Sequence, residues 1–196
     1  MIRIILIRHS MTVGNLNKRY IGITDESLAK EGIELIKNKK YPKAYEVYSS
    51  PLRRCIETAK IIYRDIEPII SNDLRECDFG EFENKNYEEL KDNINYNIWL
   101  ESNGQIAFPG GEGKEEFKNR CQEAFNEIVE KVLASKKNEI VLVVHGGTIM
   151  AILDKYSYPH KDFYNWQIKN GEGYIAQIEE KEWKFGVRKI KIIQKI

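Results

Sequence analysis

Cysteine is scarce in this chain. Cys55, Cys77 and Cys121 are the only three, odd in number, far apart and without a CxxC pair. They support neither a disulfide framework nor a zinc ribbon and read as reduced intracellular thiols. Long apolar runs are also missing. Ile4-Ile5-Leu6-Ile7 is too short for a signal-peptide core and ends on Arg8-His9 rather than on a small-residue cleavage site. No later stretch approaches the roughly 20 apolar residues that span a bilayer. A soluble, cytoplasmic protein without a membrane partner is expected. The third absence is a dominant charge: 31 Lys and Arg face 30 Asp and Glu. No global field draws in a polyanion, so nucleic acid is not an expected partner. Anion recognition must come from a few cations gathered in one place.

What is present fits an α/β domain. With 196 residues, the chain falls below the roughly 250 at which cores usually split, so one domain over 1–196 is expected. Ile2 to Ile7, broken only by Arg3, and Ile140 to Val144 are near-continuous Ile/Val/Leu runs, the pattern of strands buried on both faces of a parallel sheet. Val47-Tyr48 and Glu67 to Ile70 are shorter strand candidates. Helical patterns cover Ser27 to Asn38, Pro51 to Tyr63 and Gly113 to Ser135. The alternation predicts a three-layer α/β/α fold with a mostly parallel central sheet. Tyr174 to Ile178 and Phe185 to Ile193 predict a terminal antiparallel hairpin, whose Lys189, Lys191 and Lys195 read as edge-strand lysines that discourage aggregation. The irregular, Asn-rich and aromatic stretch at about 81–112 is expected to be a loop-rich, lid-like insertion over the active site.

Two of the three histidines, His9 and His145, directly follow the two strongest strands. Ligands of open α/β sheets bind outside the carboxyl ends of the strands, so both imidazoles are placed to share one site. Arg8 precedes the first. Gly146-Gly147 follows the second, allows close backbone approach, and opens a helix expected near Thr148, whose free N–H groups would favour an anion. Ser49-Ser50-Pro51-Leu52-Arg53-Arg54 reads as a strand end opening a helix, with Ser50 as N-cap and Pro51 at the first helical position. Arg54 then lies in the first turn, where a guanidinium can bind phosphate oxygens in bidentate fashion. Arg8 and Arg54 would disfavour an imidazolium, leaving His9 neutral and able to attack phosphorus near neutral pH. Its other ring nitrogen requires an acceptor, such as a backbone carbonyl. Fixed cations and N–H donors can stabilise a transferring phosphoryl group without a metal. The chain holds no Gly-x4-Gly-Lys-Ser/Thr loop and no Asp cluster. No metal and no cofactor are expected. His160, in Tyr158-Pro159-His160-Lys161, reads as a solvent-facing loop residue.

The run Arg8-His9-Ser10-Met11-Thr12 resembles the RHGxT signature of the histidine phosphatase (phosphoglycerate mutase-like) superfamily. Asn15, Arg19, Gly22, Asp25, Leu28 and Gly32 continue its N-x3-R-x2-G-x2-D-x2-L spacing. Ser49 to Ala59 (SSPLRRCIETA), Leu74 to Gly80 (LRECDFG) and Val144 to Gly147 (VHGG) resemble its later motifs. The resemblance implies His9 as nucleophile, Arg8, Arg54 and His145 on the phosphoryl oxygens, and Glu76 as proton donor, with Asp78 and Glu83 as rivals for that role. It also implies Asn15, Gly22 and Gly146 as further phosphate contacts. Ser10 and Met11 replace the family's usual Gly and Glu, and Phe82 and Asn84 replace its usual Trp and Gly.

The resemblance implies a phosphatase acting on a small phosphate monoester, its expected partner, with a homodimer left open. Within that family, mutases acting on glycerate carry an arginine pair in the insertion, whereas residues 81–113 here contain only Lys85 and Lys91 as cations. Phe82, Tyr87, Tyr96, Trp99 and Phe108 suit an aromatic leaving group instead. The α-ribazole-5′-phosphate phosphatase branch is the nearest match, and α-ribazole 5′-phosphate the first substrate expected. The alternatives are a broad-specificity sugar or glycerate phosphate phosphatase, a phosphoglycerate mutase, and a non-catalytic phosphate-ester-binding regulator.

Overall fold

Alternation along two apolar strands sets the layers of the molecule. A computed structural model describes residues 1–196. Its elements are β1 (Ile2–Arg8), α1 (Val13–Leu16), α2 (Lys30–Lys37), β2 (Val47–Ser49), α3 (Arg53–Ile62), β3 (Ile69–Ile70), α4 (Tyr87–Leu90), α5 (Ile94–Glu101), α6 (Lys114–Ala134), β4 (Glu139–Val144), α7 (Gly146–Tyr156), β5 (Gly173–Ile178), α8 (Glu180–Lys184) and β6 (Lys191–Lys195). Successive strand side chains point to opposite faces. Ile2, Ile4 and Leu6 of β1 and Ile140, Leu142 and Val144 of β4 therefore enter one core with Phe125, Ile128 and Val129 of α6 and Ile149, Ile152 and Leu153 of α7. Ile5, Ile7, Val141 and Val143 enter a second core with Cys55 and Ala59 of α3. Each fully buried Ile, Val or Leu side chain contributes about 1.5–3 kcal/mol, and this two-sided burial makes β1 and β4 the centre of the fold.

The six strands run in the order β3-β2-β4-β1-β5-β6, with β3, β2, β4 and β1 parallel and β5 and β6 antiparallel additions. The expected three-layer, mostly parallel architecture is the one observed. Its terminal hairpin differs in detail. Phe185 to Ile190 precede the last strand, which begins at Lys191, and the polar connection Glu180–Lys184 folds as α8, anchored by the buried Trp183. A Glu180–Lys184 pair at i,i+4 supports that turn. Lys191 and Lys195 lie on the edge strand as expected, and Lys195 also pairs with Glu172 at 2.7 Å.

The segment 81–112 is more regular than its composition suggests. Two of its asparagines are helix caps. Asn86 forms a reciprocal capping box with Glu89 to start α4, and the Asn93 side chain accepts from Tyr96 N to start α5. The two short helices close over their own small core of Phe82, Leu90 and Tyr96. No helix of the protein is long and apolar enough to cross a membrane.

Candidate active site

Parallel pairing of β1 with β4 sets Arg8 opposite Val144, so the residues that follow, His9 and His145, emerge side by side. Their rings meet edge to face with centroids 5.1 Å apart, and both are buried. His9 Nδ1 lies 2.7 Å from Ser10 O. A carbonyl can only accept, so Nδ1 carries the proton and Nε2 keeps its lone pair. Burial, then Arg54, then Arg8 hold the His9 pKa well below the usual imidazole range, against a smaller opposing pull from the Ser10 hydrogen bond. The ring is thus neutral at pH 7, with the lone pair on Nε2. Ser10, standing where the family motif has Gly, fits because its hydroxyl donates to Gly32 O at 2.6 Å while its N–H donates to Thr58 Oγ1 at 3.0 Å.

Arg54 is fully buried, yet no carboxylate pairs with it. Its Nη1 donates to Thr24 O at 2.7 Å, its Nη2 to Gly22 O at 2.7 Å and Ile21 O at 3.4 Å, and its Nε to His145 Nδ1 at 3.3 Å. Arg8 donates from Nη1 to Ile168 O at 2.7 Å and keeps a buried Nε without a partner. Two buried guanidinium groups are solvated by carbonyls without a carboxylate partner, an arrangement able to receive an anion, since a buried charge is costly until it is paired.

Glu76 completes the cluster. Its carboxyl group sits at the start of α7, accepting from Cys77 N and Gly147 N, each at 3.1 Å. A Cβ at Gly147 would lie 2.2 Å from Glu76 Oε1, so only glycine permits this approach. Burial raises the Glu76 pKa, outweighing the two backbone hydrogen bonds and the two arginines. His9 is pushed toward its neutral base and Glu76 toward its neutral acid, the opposed tuning that acid–base chemistry needs. Glu76 is the sole carboxylate lining a cavity of about 690 Å³ that also exposes Arg8, Gly146 and Gly147. The volume falls in the usual range for small-molecule sites of about 300–1,000 Å³.

Several expectations change. Ser50 is not the cap of α3. That helix starts at Arg53 after Leu52, while Ser50 Oγ accepts from Leu52 N at 3.3 Å and contacts His145 Nε2 at 2.7 Å. With Nδ1 accepting from Arg54, His145 Nε2 carries the proton toward Ser50. Both ring nitrogens are thus engaged by protein, Nδ1 by Arg54 and Nε2 by Ser50. Cys55 packs on the same ring, but burial pushes its thiol up to about 12, so it is no thiolate. The Gly22 N–H, expected to face phosphate, is taken by Glu83 Oε2 at 3.2 Å. Asn15 Oδ1 receives Asn170 Nδ2 at 3.0 Å and Thr12 N at 3.3 Å, leaving only its amide N–H groups for a ligand. The helix after His145 begins at Gly146, two residues earlier than expected, and Gly146 packs on the Arg8 guanidinium. His160 is exposed on its loop.

The aromatic expectation divides. Trp99 and Phe108 line the cavity, whereas Phe82 and Tyr96 are buried in their own core and Tyr87 faces solvent. Tyr20, Phe79, Phe117, Phe163 and Tyr164, contributed by other segments, complete the wall. Sequence reasoning missed these because no local pattern marks a residue that only tertiary packing turns inward. Asp78 Oδ1 accepts from Gly80 N at 2.8 Å and Glu83 accepts from a backbone loop, so neither rival carboxylate opens on the cavity.

Residues 4–190 match the model of the histidine phosphatase superfamily, branch 1. The chain is 30% identical over 164 residues to phosphoglycerate mutase-like protein 4 of Arabidopsis thaliana, covering 78% of this chain and 70% of that protein. It is 26% identical over 189 residues to the adenosylcobalamin/alpha-ribazole phosphatase of Escherichia coli K12, covering 91% of each. The crystal structure of the alpha-ribazole phosphatase from Shigella flexneri superposes with a TM-score of 0.80 at 25% identity over 92% of both chains. Motif order, site geometry and the family match agree: the chain belongs to the histidine phosphatase superfamily, branch 1.

Proposed function

We propose that the protein is a metal-independent phosphatase that hydrolyses a small phosphate monoester through a phosphohistidine. The observation carrying this reading is the buried His9 with Nδ1 held by Ser10 O, set beside Arg8 and Arg54, neither of which has a carboxylate partner. His9 Nε2 attacks phosphorus as the bond to the ester oxygen breaks, and the Glu76 carboxyl proton goes to that oxygen, releasing an alcohol. Arg8 and Arg54 take the charge on the equatorial oxygens. Glu76, now a carboxylate, accepts a proton from water. The water oxygen bonds to phosphorus, the N–P bond breaks, and phosphate leaves His9 as it began.

For the leaving group, the aromatic wall of Tyr20, Phe79, Trp99 and Phe108 supports a flat ring, and α-ribazole 5′-phosphate is the substrate we put first. The α-ribazole phosphatase from Escherichia coli, similar over 91% of both chains, supports the same choice. In this reading the segment 81–112, which supplies Trp99 and Phe108, works as a lid. One observation favours glycerate phosphates instead: Lys114 and Lys169 line the cavity without a carboxylate partner and would receive a substrate carboxylate.

Rapid quench with a 32P-labelled ester should trap acid-labile, base-stable phosphate on the His9 peptide, after exhaustive chelation as well as before. Loss of the intermediate on chelation would overturn the metal-free mechanism. Comparing kcat/KM for α-ribazole 5′-phosphate and 3-phosphoglycerate separates the two substrates, and preference for the second rejects the first.

A further inference from the structure

Glu83 follows the short turn Gly80–Phe82 and reaches across to a loop from a distant part of the chain. Its Oε1 accepts from Ile23 N at 2.9 Å and Phe79 N at 3.2 Å, and its Oε2 from Thr24 Oγ1 at 2.7 Å, Gly22 N at 3.2 Å and Thr24 N at 3.4 Å. One carboxylate thus gathers three consecutive backbone N–H groups of residues 22–24. The carbonyls of that same loop, at Ile21, Gly22 and Thr24, are the ones that hold the Arg54 guanidinium. Two peptide groups, Ile21–Gly22 and Gly22–Ile23, lie between the anion on their N–H side and the cation on their C=O side. Each charge strengthens the hydrogen bond made by the other, because hydrogen bonds in series polarise one another. The fit leaves no slack: a Cβ at Gly22 would lie 1.9 Å from Cys77 O and 2.2 Å from Glu83 Oε1.

The geometry points to Glu83 as a positioning residue for Arg54. It does not touch substrate. It fixes the loop whose carbonyls aim the guanidinium, and its negative charge reaches Arg54 through two peptide groups, Ile21–Gly22 and Gly22–Ile23. The four bonds to Arg54 leave one Nη1 N–H for the transferring phosphoryl group, and Glu83 ties its aim to the segment 81–112, which carries part of the cavity wall. The inference rests on the reading that Arg54 binds the phosphoryl group. Glu83 and Glu76 lie seven positions apart yet act on opposite ends of the reaction. Losing Glu83 weakens phosphoryl binding whatever the leaving group, whereas losing Glu76 matters most for a poor one.

The test is a double-mutant cycle with Glu83→Gln and Arg54→Ala, read as kcat/KM for p-nitrophenyl phosphate and for an alkyl phosphate, as inhibition by orthovanadate, and as melting temperature. Gln keeps the shape but offers one acceptor oxygen and a misplaced NH2 group. In the wild-type background Glu83→Gln should lower kcat/KM by about 10²-fold, the scale of an ångström-sized misplacement. The loss should be equal for the two esters, and vanadate should weaken by the same factor. In the Arg54→Ala background the same change should cost less than about twofold, because nothing is left to aim. Equal losses in both backgrounds would overturn the proposal and make Glu83 a merely structural residue. Full activity of Arg54→Ala would instead reject the phosphate-binding reading itself, a distinct result. If Glu83→Gln does not fold, Glu83→Asp keeps the charge and shortens the reach, and it must show the same equal loss and the same dependence on Arg54.

Discussion

The polar cluster around His9 and the cavity beside it are built differently. The cluster, the phosphate end in the proposed reaction, is made of buried, polar side chains on the ends of β1 and β4 and the first turn of α3, each held by at least one hydrogen bond to protein. The cavity, the leaving-group end in the same proposal, has a wall of rings from several segments, in edge-to-face and stacked contact, including Trp99 on Phe108 at 4.9 Å and Phe79 on Phe108 at 5.0 Å. Hydrogen-bonded groups in fixed frames define the chemistry. Apolar rings, which lack directional bonds, can be exchanged while the chemistry stays.

The comparison can be broken most sharply at His9. His9→Ala should lower turnover of every ester by about 10⁴–10⁶-fold, the scale seen when a covalent nucleophile is removed. Substantial residual turnover in a quenched-flow assay would mean that another group attacks phosphorus. Glu76→Gln comes next. An alkyl phosphate should lose about 10²–10⁴-fold, while p-nitrophenyl phosphate, whose leaving group needs no proton, loses much less in the rate of phosphoenzyme formation. An equal loss for both esters would show that Glu76 acts through structure.

The pH profile sharpens the same end. A His9 pKa held below the imidazole range means that the nucleophile is lost only when pH falls below that depressed value. A Glu76 pKa raised above the carboxylate range means that the acid is lost as pH rises through the raised value. kcat/KM for an alkyl ester should therefore be bell-shaped, falling about tenfold per pH unit beyond either limb. The alkaline limb should vanish in Glu76→Gln. The smallest effect belongs to the wall. Trp99→Ala should lower kcat/KM for a benzimidazole riboside phosphate by about 3–10-fold, the worth of a lost aromatic contact, and leave glycerol phosphate unchanged. Equal losses on both would make the wall part of the phosphate end.

What could be read in the sequence follows the same division. That His9, Arg8 and Arg54 gather at strand ends and a helix start was legible because strand runs and turn residues place them locally, whereas Glu76 entered through the resemblance of its motif. The paired histidines needed only parallel neighbouring strands. Where the reading went astray, one side chain served a distant partner. Ser50 looked like a cap but meets His145 from 95 positions away, and Gly22 looked like a phosphate donor but meets Glu83. The asparagines of 86–97 read as loop composition, yet Asn86 and Asn93 start helices and Asn95 and Asn97 lie within one. Tyr20 and Phe163 gave no signal, since their position in the cavity depends on packing between elements far apart in sequence.

The unneutralised arginines have a thermodynamic consequence. Burial first, and then Arg54 and Arg8, depress both His9 and His145, so the folded protein holds like charges that the unfolded chain would disperse in water. Any dianion that enters relieves this repulsion in the folded state alone. By mass action, an anion bound there at one hundred times its dissociation constant would add about 2.7 kcal/mol, worth about 2–4 °C of melting temperature per kcal/mol for a chain of this length. The charge arrangement that prepares the site for turnover also leaves the idle enzyme the less durable form.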